Sequence, residues 1–214
     1  MSMRSYALTG FPDEKKIAKE GISLAMFQQV YSGDAPWEVG VPQPAVKELD
    51  LAGAFQGTVL DVGCGLGHNS LYLASRGFNV HAIDFVPEIV ERARQATAGK
   101  ELKLVFEVFD AMCLSSLHQT FDTILDSATF HTFSDSERLR YVEQLSTITE
   151  PGSRLHLLCF ADNEHRSGGP RRISREEIHN SFSRNWNIDS IRETRYLTTL
   201  YPDGARAWVA TMSR

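Results

Sequence analysis

Residues 58–67 read Thr-Val-Leu-Asp-Val-Gly-Cys-Gly-Leu-Gly, and this stretch decides the fold. Its apolar first half is typical of a short parallel strand that is buried on both faces. The glycines that follow, Gly63, Gly65 and Gly67, remove side chains where a ligand must approach the backbone. A helix beginning near Leu66 directs its free N–H groups at the same space. The stretch therefore predicts a ligand-binding crevice beside this strand.

A second strand, predicted at 79–84, ends in an acid, Asp84. A carboxylate at the tip of the second strand, at this spacing from a glycine-rich turn, is placed to accept hydrogen bonds from ribose hydroxyls. The two strands together therefore favour a crevice for a nucleoside.

Strands and helices alternate through residue 186, and two further strands follow. We predict helices at 13–31, 43–52, 66–76, 87–97, 135–148 and 174–183, and strands at 59–62, 79–84, 102–109, 121–126, 154–160, 187–196 and 205–213. The Tyr-Pro-Asp-Gly sequence at 201–204 is expected to join the last two strands as a hairpin. The pattern predicts an α/β fold, a doubly wound, Rossmann-like, seven-stranded and mostly parallel sheet with an antiparallel terminal hairpin strand. We expect a single domain over 1–214, in which residues 1–45 form an N-terminal helical lid and residues 46–214 form the core.

The composition is that of an ordinary soluble domain, with 214 residues, 42% hydrophobic residues and a formal net charge of -5. The negative balance argues against a nucleic-acid partner, which needs clustered Lys and Arg. No stretch approaches the roughly 20 apolar residues of a membrane span, and the polar N-terminus does not resemble a signal peptide, so we expect a cytoplasmic protein without a membrane partner. Three widely spaced cysteines, without metal-ligand spacing, predict reduced thiols and no metal site.

Acids lie at the ends of four consecutive predicted strands, namely Asp61, Asp84, Asp110 and Asp126. Ligands bind beyond the carboxyl ends of the strands in open α/β sheets, so these acids support one continuous site.

A dinucleotide-dependent reductase is the first competing interpretation. Its fingerprint needs a third glycine where this chain has His68, and here the third glycine comes one residue early, at Gly67. Asp61 in the strand would repel a pyrophosphate, whereas it would attract a ligand that carries an amine and a sulfonium.

The segment Asp61-Val-Gly-Cys-Gly-Leu-Gly67 resembles motif I of the class I S-adenosylmethionine-dependent methyltransferases, and the resemblance extends over residues 20–214 in order and spacing. It implies S-adenosyl-L-methionine as the cofactor and S-adenosyl-L-homocysteine as the product. The turn that includes Cys64 would hold the methionine part, with Asp61 close to its amino group. Asp84 would bind the ribose diol, and Phe85 would pack against the adenine.

The same resemblance places further cofactor contacts after the third and fourth strands. Asp110 and Ala111 would recognise the adenine through a side-chain acid and a backbone N–H, although Asp110 is open to a simpler interpretation as a strand-end turn residue. Asp126 is expected to complete the cofactor site.

The N-terminal segment carries a second resemblance. Phe27-x-x-x-Tyr31, followed by Pro36-Trp37-x-x-Gly40, resembles the aromatic lid of plant-type thiol and halide methyltransferases, which thiopurine and tellurite methyltransferases share in related form. Phe27 and Tyr31 replace two expected tryptophans. All three aromatic residues would close over the cofactor, and Trp37 would also shape the acceptor pocket; the alternative for Trp37 is a hydrophobic plug.

Residues 126–133 and Gly169-Pro-Arg-Arg172 resemble bacterial small-molecule methyltransferases, some of which act on quinones and phenols. We expect Phe130 and His131 to contact the acceptor, with His131 as the candidate catalytic base; the alternative is a histidine that packs against aromatic neighbours. Arg171 and Arg172, in a loop at 161–173 that we expect to be mobile, would steer an anionic acceptor or form solvated surface.

These features predict methyl transfer to a heteroatom of a small, largely apolar molecule, as in secondary metabolism, by a monomer or homodimer. A thiol is the first choice, because a thiol with a pKa of ~8.5 is partly ionised at neutral pH, whereas a phenol with a pKa of ~10 needs a base. The alternative is O- or N-methylation of an aromatic, phenolic or quinone-type molecule. A non-catalytic cofactor-binding protein stays open as a different class.

Overall fold

The computed structural model describes residues 12–214, which build one seven-stranded sheet. The strands are β1 Thr58–Val62, β2 Asn79–Asp84, β3 Leu104–Val108, β4 Thr123–Ser127, β5 Arg154–Phe160, β6 Asn187–Thr198 and β7 Tyr201–Ser213. Their order is β3-β2-β1-β4-β5-β7-β6. The first five strands pair in parallel, and β7 runs antiparallel between β5 and β6. This confirms the predicted fold class. The first 11 residues of the predicted lid lie outside the described residues.

Helices cover both faces of the sheet. They are α1 Glu14–Glu20, α2 Leu24–Tyr31, α3 Pro44–Leu51, α4 His68–Ser75, α5 Pro87–Thr97, α6 Asp135–Thr147 and α7 Arg175–Phe182, with 3₁₀ segments at Ala111–Leu117 and Phe130–Thr132. Ser134 and Ser174 form capping boxes that begin α6 and α7, as their sequence spacing predicts. Within residues 12–214, no helix is both long and apolar enough to cross a membrane.

Alternate residues of β1 enter two different hydrophobic cores. Leu60 packs with residues of α6 such as Tyr141, whereas Val59 packs with Val46 of α3 and Leu73 of α4. All five side chains are fully buried. Burial on both faces explains why β1 reads as a continuous apolar run, and it fixes the end of β1 beneath the glycine turn.

The helix predicted at 13–31 is two helices, because the chain turns at Gly21. Gly21 adopts a left-handed φ of 68° and ends α1, and the Ser23 hydroxyl caps α2 by accepting from the Met26 N–H at 3.3 Å. Between them, the N–H of Ile22 donates to the Thr132 carbonyl at 3.0 Å. This break carries α2 across the carboxyl edge of the sheet.

The turn of the terminal hairpin is not where the sequence predicts it. Thr198 pairs with Tyr201, so the loop consists of two residues, and the Tyr-Pro-Asp-Gly segment belongs to β7. Pro202 is tolerated there because β5 pairs with β7 only as far as Ala207, which leaves this stretch paired on one side. Gly204, with a φ of 74°, accommodates the nearby irregularity in register.

Candidate functional site

A cavity of about 320 Å³ lies at the carboxyl edge of the sheet, beneath α2 and the loop that follows it. The ends of β1, β2 and β4 form its floor. Most of the sequence-predicted site residues line this cavity: Phe27, Tyr31, Trp37, Gly63, Cys64, Gly65, Asp84, Phe85, Asp110, Ala111 and His131. The topology therefore brings residues from the lid, the glycine turn and three strand ends into one space.

The glycine turn is held against the tip of β2 by Asp84. The N–H of Gly65 donates to Oδ2 of Asp84 at 3.0 Å, and the N–H of Val86 donates to Oδ1 at 3.0 Å. Burial raises the pKa of Asp84, and these backbone donors oppose the shift. Each carboxylate oxygen keeps acceptor capacity, so Asp84 fits the two hydroxyls of a ribose.

Positive φ angles at Gly63 and Gly67, 67° and 77°, make the turn possible. A Cβ on Gly63 would overlap the Thr129 side chain, and one on Gly67 would overlap the Phe106 ring. Gly67 does not line the cavity; it forms the N-cap of α4, where it packs on Phe106. Its role in this structure is close packing beneath the site.

Asp61 is buried beneath the turn and, contrary to expectation, does not itself line the cavity; one of its carboxylate oxygens is unpaired. The Ser70 hydroxyl donates to Oδ2 of Asp61 at 2.5 Å, whereas Oδ1 has no partner. Burial, with the nearby charges of Asp126 and Asp84, raises the pKa of Asp61 to about 7. An orphaned carboxylate oxygen next to a glycine turn suits a ligand with an ammonium group. The residues present therefore fit the amino-acid part of S-adenosylmethionine.

The third strand ends in a slot beside Phe85. Oδ1 of Asp110 accepts from the N–H of Met112 at 2.8 Å and begins the 3₁₀ segment, so Asp110 does act as a turn residue. Asp110, Ala111 and Met112 nevertheless all line the cavity. An acid next to apolar side chains has the chemistry that an adenine requires.

The lid is an aromatic cluster. The ring of Phe27 lies 5.3 Å from Phe85 and 6.0 Å from Trp37, in edge-to-face arrangements. The indole N–H of Trp37 donates to the Tyr31 hydroxyl at 2.9 Å. These contacts place aromatic edges and faces above the cavity.

The loop of the lid is fastened to the terminal hairpin. The carbonyl of Pro36 accepts from the Thr198 hydroxyl at 2.9 Å and from the Thr199 N–H at 2.8 Å. The Gln43 side chain bonds both the N–H and the carbonyl of Leu197, at 2.8 and 3.1 Å. The hairpin thus holds the lid and supplies one wall of the cavity.

His131 lies in the wall of the cavity but is not arranged as a base. Its Nδ1 accepts from the N–H of Phe160 at 3.1 Å, so the proton of the neutral ring is on Nε2, and the ring also hydrogen-bonds the backbone of Ala128. Burial, with the positive charges of Arg138 and Arg172, lowers the pKa of His131 to about 3. This environment favours the alternative interpretation, a neutral wall residue that packs against Phe160, over the predicted base role.

Asp126 and Phe130 do not line the cavity, contrary to expectation. Asp126 is fully buried and accepts from the N–H groups of Thr129 and Phe130 and from the Tyr141 hydroxyl at 2.8 Å. These donors occupy its oxygens and shape the bend after β4. Phe130 packs against Phe182 in the core, with ring centroids 5.2 Å apart.

The two predicted substrate arginines also point elsewhere. Arg171 pairs with Asp135 and Glu177 at 2.5 and 2.6 Å. Arg172 donates to the carbonyls of Pro170 and Gly168 at 2.6 and 2.8 Å. These hydrogen bonds gather the backbone of the loop at 161–173 around Arg172.

Several further cavity residues are not among the predicted site residues. They are Glu38, Gln43, His68, Asn69, Met112, Ser127, Phe133, Phe160, Tyr196, Thr198 and Leu200. A loop acid next to Trp37 and a tyrosine near the end of β6 give no spacing signal, since only the tertiary fold brings them here. Ala128, a non-glycine residue with a φ of 79°, marks the strained bend after β4 that faces the cavity.

Comparison with known proteins places these features in context. A family model described as "Methyltransferase domain" matches residues 59–152. The 2-heptyl-1-hydroxyquinolin-4(1H)-one methyltransferase of Mycobacteroides abscessus is 32% identical over 190 residues, which cover 84% of this chain and 82% of that protein. A probable thiol methyltransferase 2 of Arabidopsis thaliana is 29% identical over 144 residues, or 65% of this chain and 62% of the relative.

A solved structure described as "Conversion of a Disulfide Bond into a Thioacetal Group during Echinomycin Biosynthesis" superposes with a TM-score of 0.80 and 31% identity. The match covers 90% of this chain and 93% of that one.

Proposed function

The chain belongs to the class I S-adenosylmethionine-dependent methyltransferases, and we propose that it methylates a heteroatom of a small, largely apolar acceptor that is already nucleophilic at neutral pH. When bound, the cofactor supplies an activated sulfonium methyl group for an in-line displacement. The residues of the cavity then align the two partners and exclude water.

The observation that carries this proposal is the hydrogen bond from Phe160 to His131. It occupies the only ring nitrogen that could accept a proton, and protonation of the ring would turn two N–H groups toward each other. Glu137, another titratable residue at the cavity, uses Oε2 within the capping box of α6. Without a free base on this wall, an acceptor that ionises on its own is favoured over one that must be deprotonated.

The far half of the cavity is apolar and aromatic. We call it the acceptor wall: His131, Phe133, Phe160, Pro170, Tyr196 and Leu200. Phe160 packs edge-on to His131 at 5.3 Å and contacts Tyr196 at 5.8 Å. Ring edges and faces of this kind suit a flat, apolar molecule. The lid above leaves little room for a macromolecule, which supports the small size of the acceptor.

Our first choice is an acidic hydroxyl or N-hydroxyl group on a flat heteroaromatic ring. It is supported by the aromatic acceptor wall, by the hydrogen bond that occupies Nδ1 of His131 on that wall, and by the relative named for a 1-hydroxyquinolinone, which matches over most of both chains. A thiol is the second candidate, because a thiol also needs little deprotonation and a thiol methyltransferase is among the relatives. This order reverses the expectation from the sequence.

A panel of size-matched acceptors with a labelled methyl donor tests the proposal. We expect fast turnover of a 1-hydroxyquinolin-4-one, slower turnover of an aryl thiol, and turnover of a phenol with a pKa of ~10 that is at least ~100-fold slower at pH 7, since only about 0.1% of it is ionised. Equal rates on the phenol, or turnover only on proteins or nucleic acid, would overturn the proposal.

A further inference from the structure

Glu38, the residue after Trp37, reaches from the lid down to the glycine turn. Its Oε1 accepts from the N–H of Leu66 at 3.0 Å. The carboxylate lies directly over Gly65, where a Cβ would overlap it. The lack of a side chain at Gly65 therefore has two effects: it allows the backbone to turn, and it leaves room for the Glu38 carboxylate of the lid.

The surroundings of Glu38 hold more negative than positive groups. Asp84 lies next to it, and Asp61 lies beneath the turn with its Oδ1 unpaired. His68 is the nearest basic side chain, with Nε2 at 3.6 Å from Oε2 of Glu38, but burial lowers its pKa and keeps it neutral at pH 7. The positive charge of Arg92 lowers the pKa of Glu38, but this effect is smaller than those of burial, the Leu66 N–H and Asp84.

Burial raises the pKa of Glu38 to about 7, with a smaller contribution in the same direction from Asp84. A buried acid with a raised pKa is stabilised in its ionised form when a ligand brings a cation next to it. Glu38 follows Trp37, whose indole N–H donates to the Tyr31 hydroxyl. A cationic group of a ligand that binds Glu38 would therefore contact a residue of the lid itself.

We propose that Glu38 binds the α-ammonium group of the cofactor's amino-acid part. The lid would then make its full set of contacts only with a cofactor that carries this amine. The geometry supports this assignment, since Glu38 spans the space between the aromatic lid and the turn that holds the methionine portion. The inference concerns cofactor recognition and is independent of the identity of the acceptor.

Calorimetry without any acceptor tests the proposal. The ligands are S-adenosylhomocysteine, its analogue lacking only the amine, and 5′-methylthioadenosine, which lacks the whole amino acid. We expect Glu38→Gln to weaken S-adenosylhomocysteine binding by roughly 10-fold or more, the scale of a lost charged hydrogen bond. Binding of the other two ligands should stay within about 2-fold, because neither carries the amine. Glu91→Gln, on the exposed surface of α5, is the matched control with all three ligands unchanged.

Two results would overturn the inference. Equal weakening of all three ligands would mean that Glu38 only supports the lid, and tighter binding of S-adenosylhomocysteine would mean that its carboxylate blocks the site. Normal binding of 5′-methylthioadenosine shows that the variant is folded. If Glu38→Gln does not fold, Glu38→Asp serves instead. Its shorter side chain should weaken the binding of S-adenosylhomocysteine alone. Unchanged affinities, or equal changes for all three ligands, would contradict the assignment.

Discussion

The N–H of Phe160 donates a hydrogen bond of 3.1 Å to Nδ1 of His131, and this bond ties the last parallel strand to the bend after β4. The histidine that the sequence suggests as a base is thereby committed to holding two strand ends together. Chemistry at the acceptor then depends on the acceptor's own acidity, and the remaining task of the protein is alignment.

Replacing His131 with alanine should reduce stability and leave the pH dependence of methyl transfer unchanged. The buried N–H of Phe160 would lose its acceptor, which costs roughly 1–3 kcal/mol. Urea unfolding measures the loss, and His179→Ala, at an exposed position of α7, is the control. A shifted or missing limb in the pH–rate profile of the variant would restore the base role.

Replacing Asp84 with asparagine should weaken S-adenosylhomocysteine by roughly 1–3 kcal/mol, the scale of a hydrogen bond to a charged group. One carboxylate oxygen, which now accepts from Gly65 or Val86, would become a donor and disturb the turn. Unlike Glu38→Gln, this change should weaken 5′-methylthioadenosine as well. Calorimetry with both ligands checks it, with Glu143→Gln on the exposed face of α6 as the control; unchanged affinity would remove Asp84 from the site.

The empty protein should lose stability as the pH rises from about 4 to about 7, in part because of Asp61. Burial raises the pKa of Asp61 from 3.8 to about 7, so the folded state binds the proton more tightly than the unfolded state. The stabilisation is fully present below the unfolded pKa and is lost as the pH rises through the folded pKa.

Asp61→Asn should therefore be more stable than the parent at pH 8, by on the order of 1 kcal/mol, while binding S-adenosylhomocysteine more weakly. In the parent, affinity should rise between pH 5.5 and 7.5, roughly over the range in which Asp61 and Glu38, both with a pKa raised to about 7, ionise and can pair with an ammonium group. Thermal unfolding and calorimetry across this range measure both effects. A pH-independent affinity in the parent would contradict the pairing.

Glu164→Gln should destabilise the loop that carries Gly169 and Pro170 to the cavity. Hydrogen bonds from Arg166, aided by the N–H of Arg206, lower the pKa of Glu164 to about 2. This contribution is present above the ordinary pKa of 4.5 and is lost as the pH falls through about 2.

Unfolding at pH 7 should therefore show a loss of roughly 1–3 kcal/mol for Glu164→Gln, and the difference from the parent should shrink toward pH 3. Glu176→Gln, at an exposed position of α7, is the control. An equal loss at both pH values would mean that shape, and not charge, is what the loop requires.

The glycine turn, the alternation of strands with helices and the place of Asp84 were predictable because local rules fix them. Positive φ angles require glycine at Gly63 and Gly65, and the apolar run of β1 requires burial on both faces. The site residues that follow from these rules lie within a few positions of a strand end. Residues such as Asp110 and Phe85 therefore line the cavity as expected.

The rest of the site depends on contacts across long stretches of chain. Asp126 lies near the end of its strand, much like Asp84, yet the Tyr141 hydroxyl, from a helix that packs behind the sheet, donates to one of its oxygens. Arg171 lies in a polar loop, but Asp135 and Glu177 draw it away from the cavity. No pattern in the sequence reports these partners, because each pairing depends on how α6 and α7 dock.

The most direct test of the account is the pH dependence of a single methyl-transfer turnover, measured with saturating cofactor and acceptors whose own pKa values differ by several units. The account predicts that the midpoint of the rate follows the pKa of each acceptor and is the same in the parent and in His131→Ala. A single midpoint shared by all acceptors, and moved by changing a residue of the acceptor wall, would show that the protein supplies the base and would contradict the account.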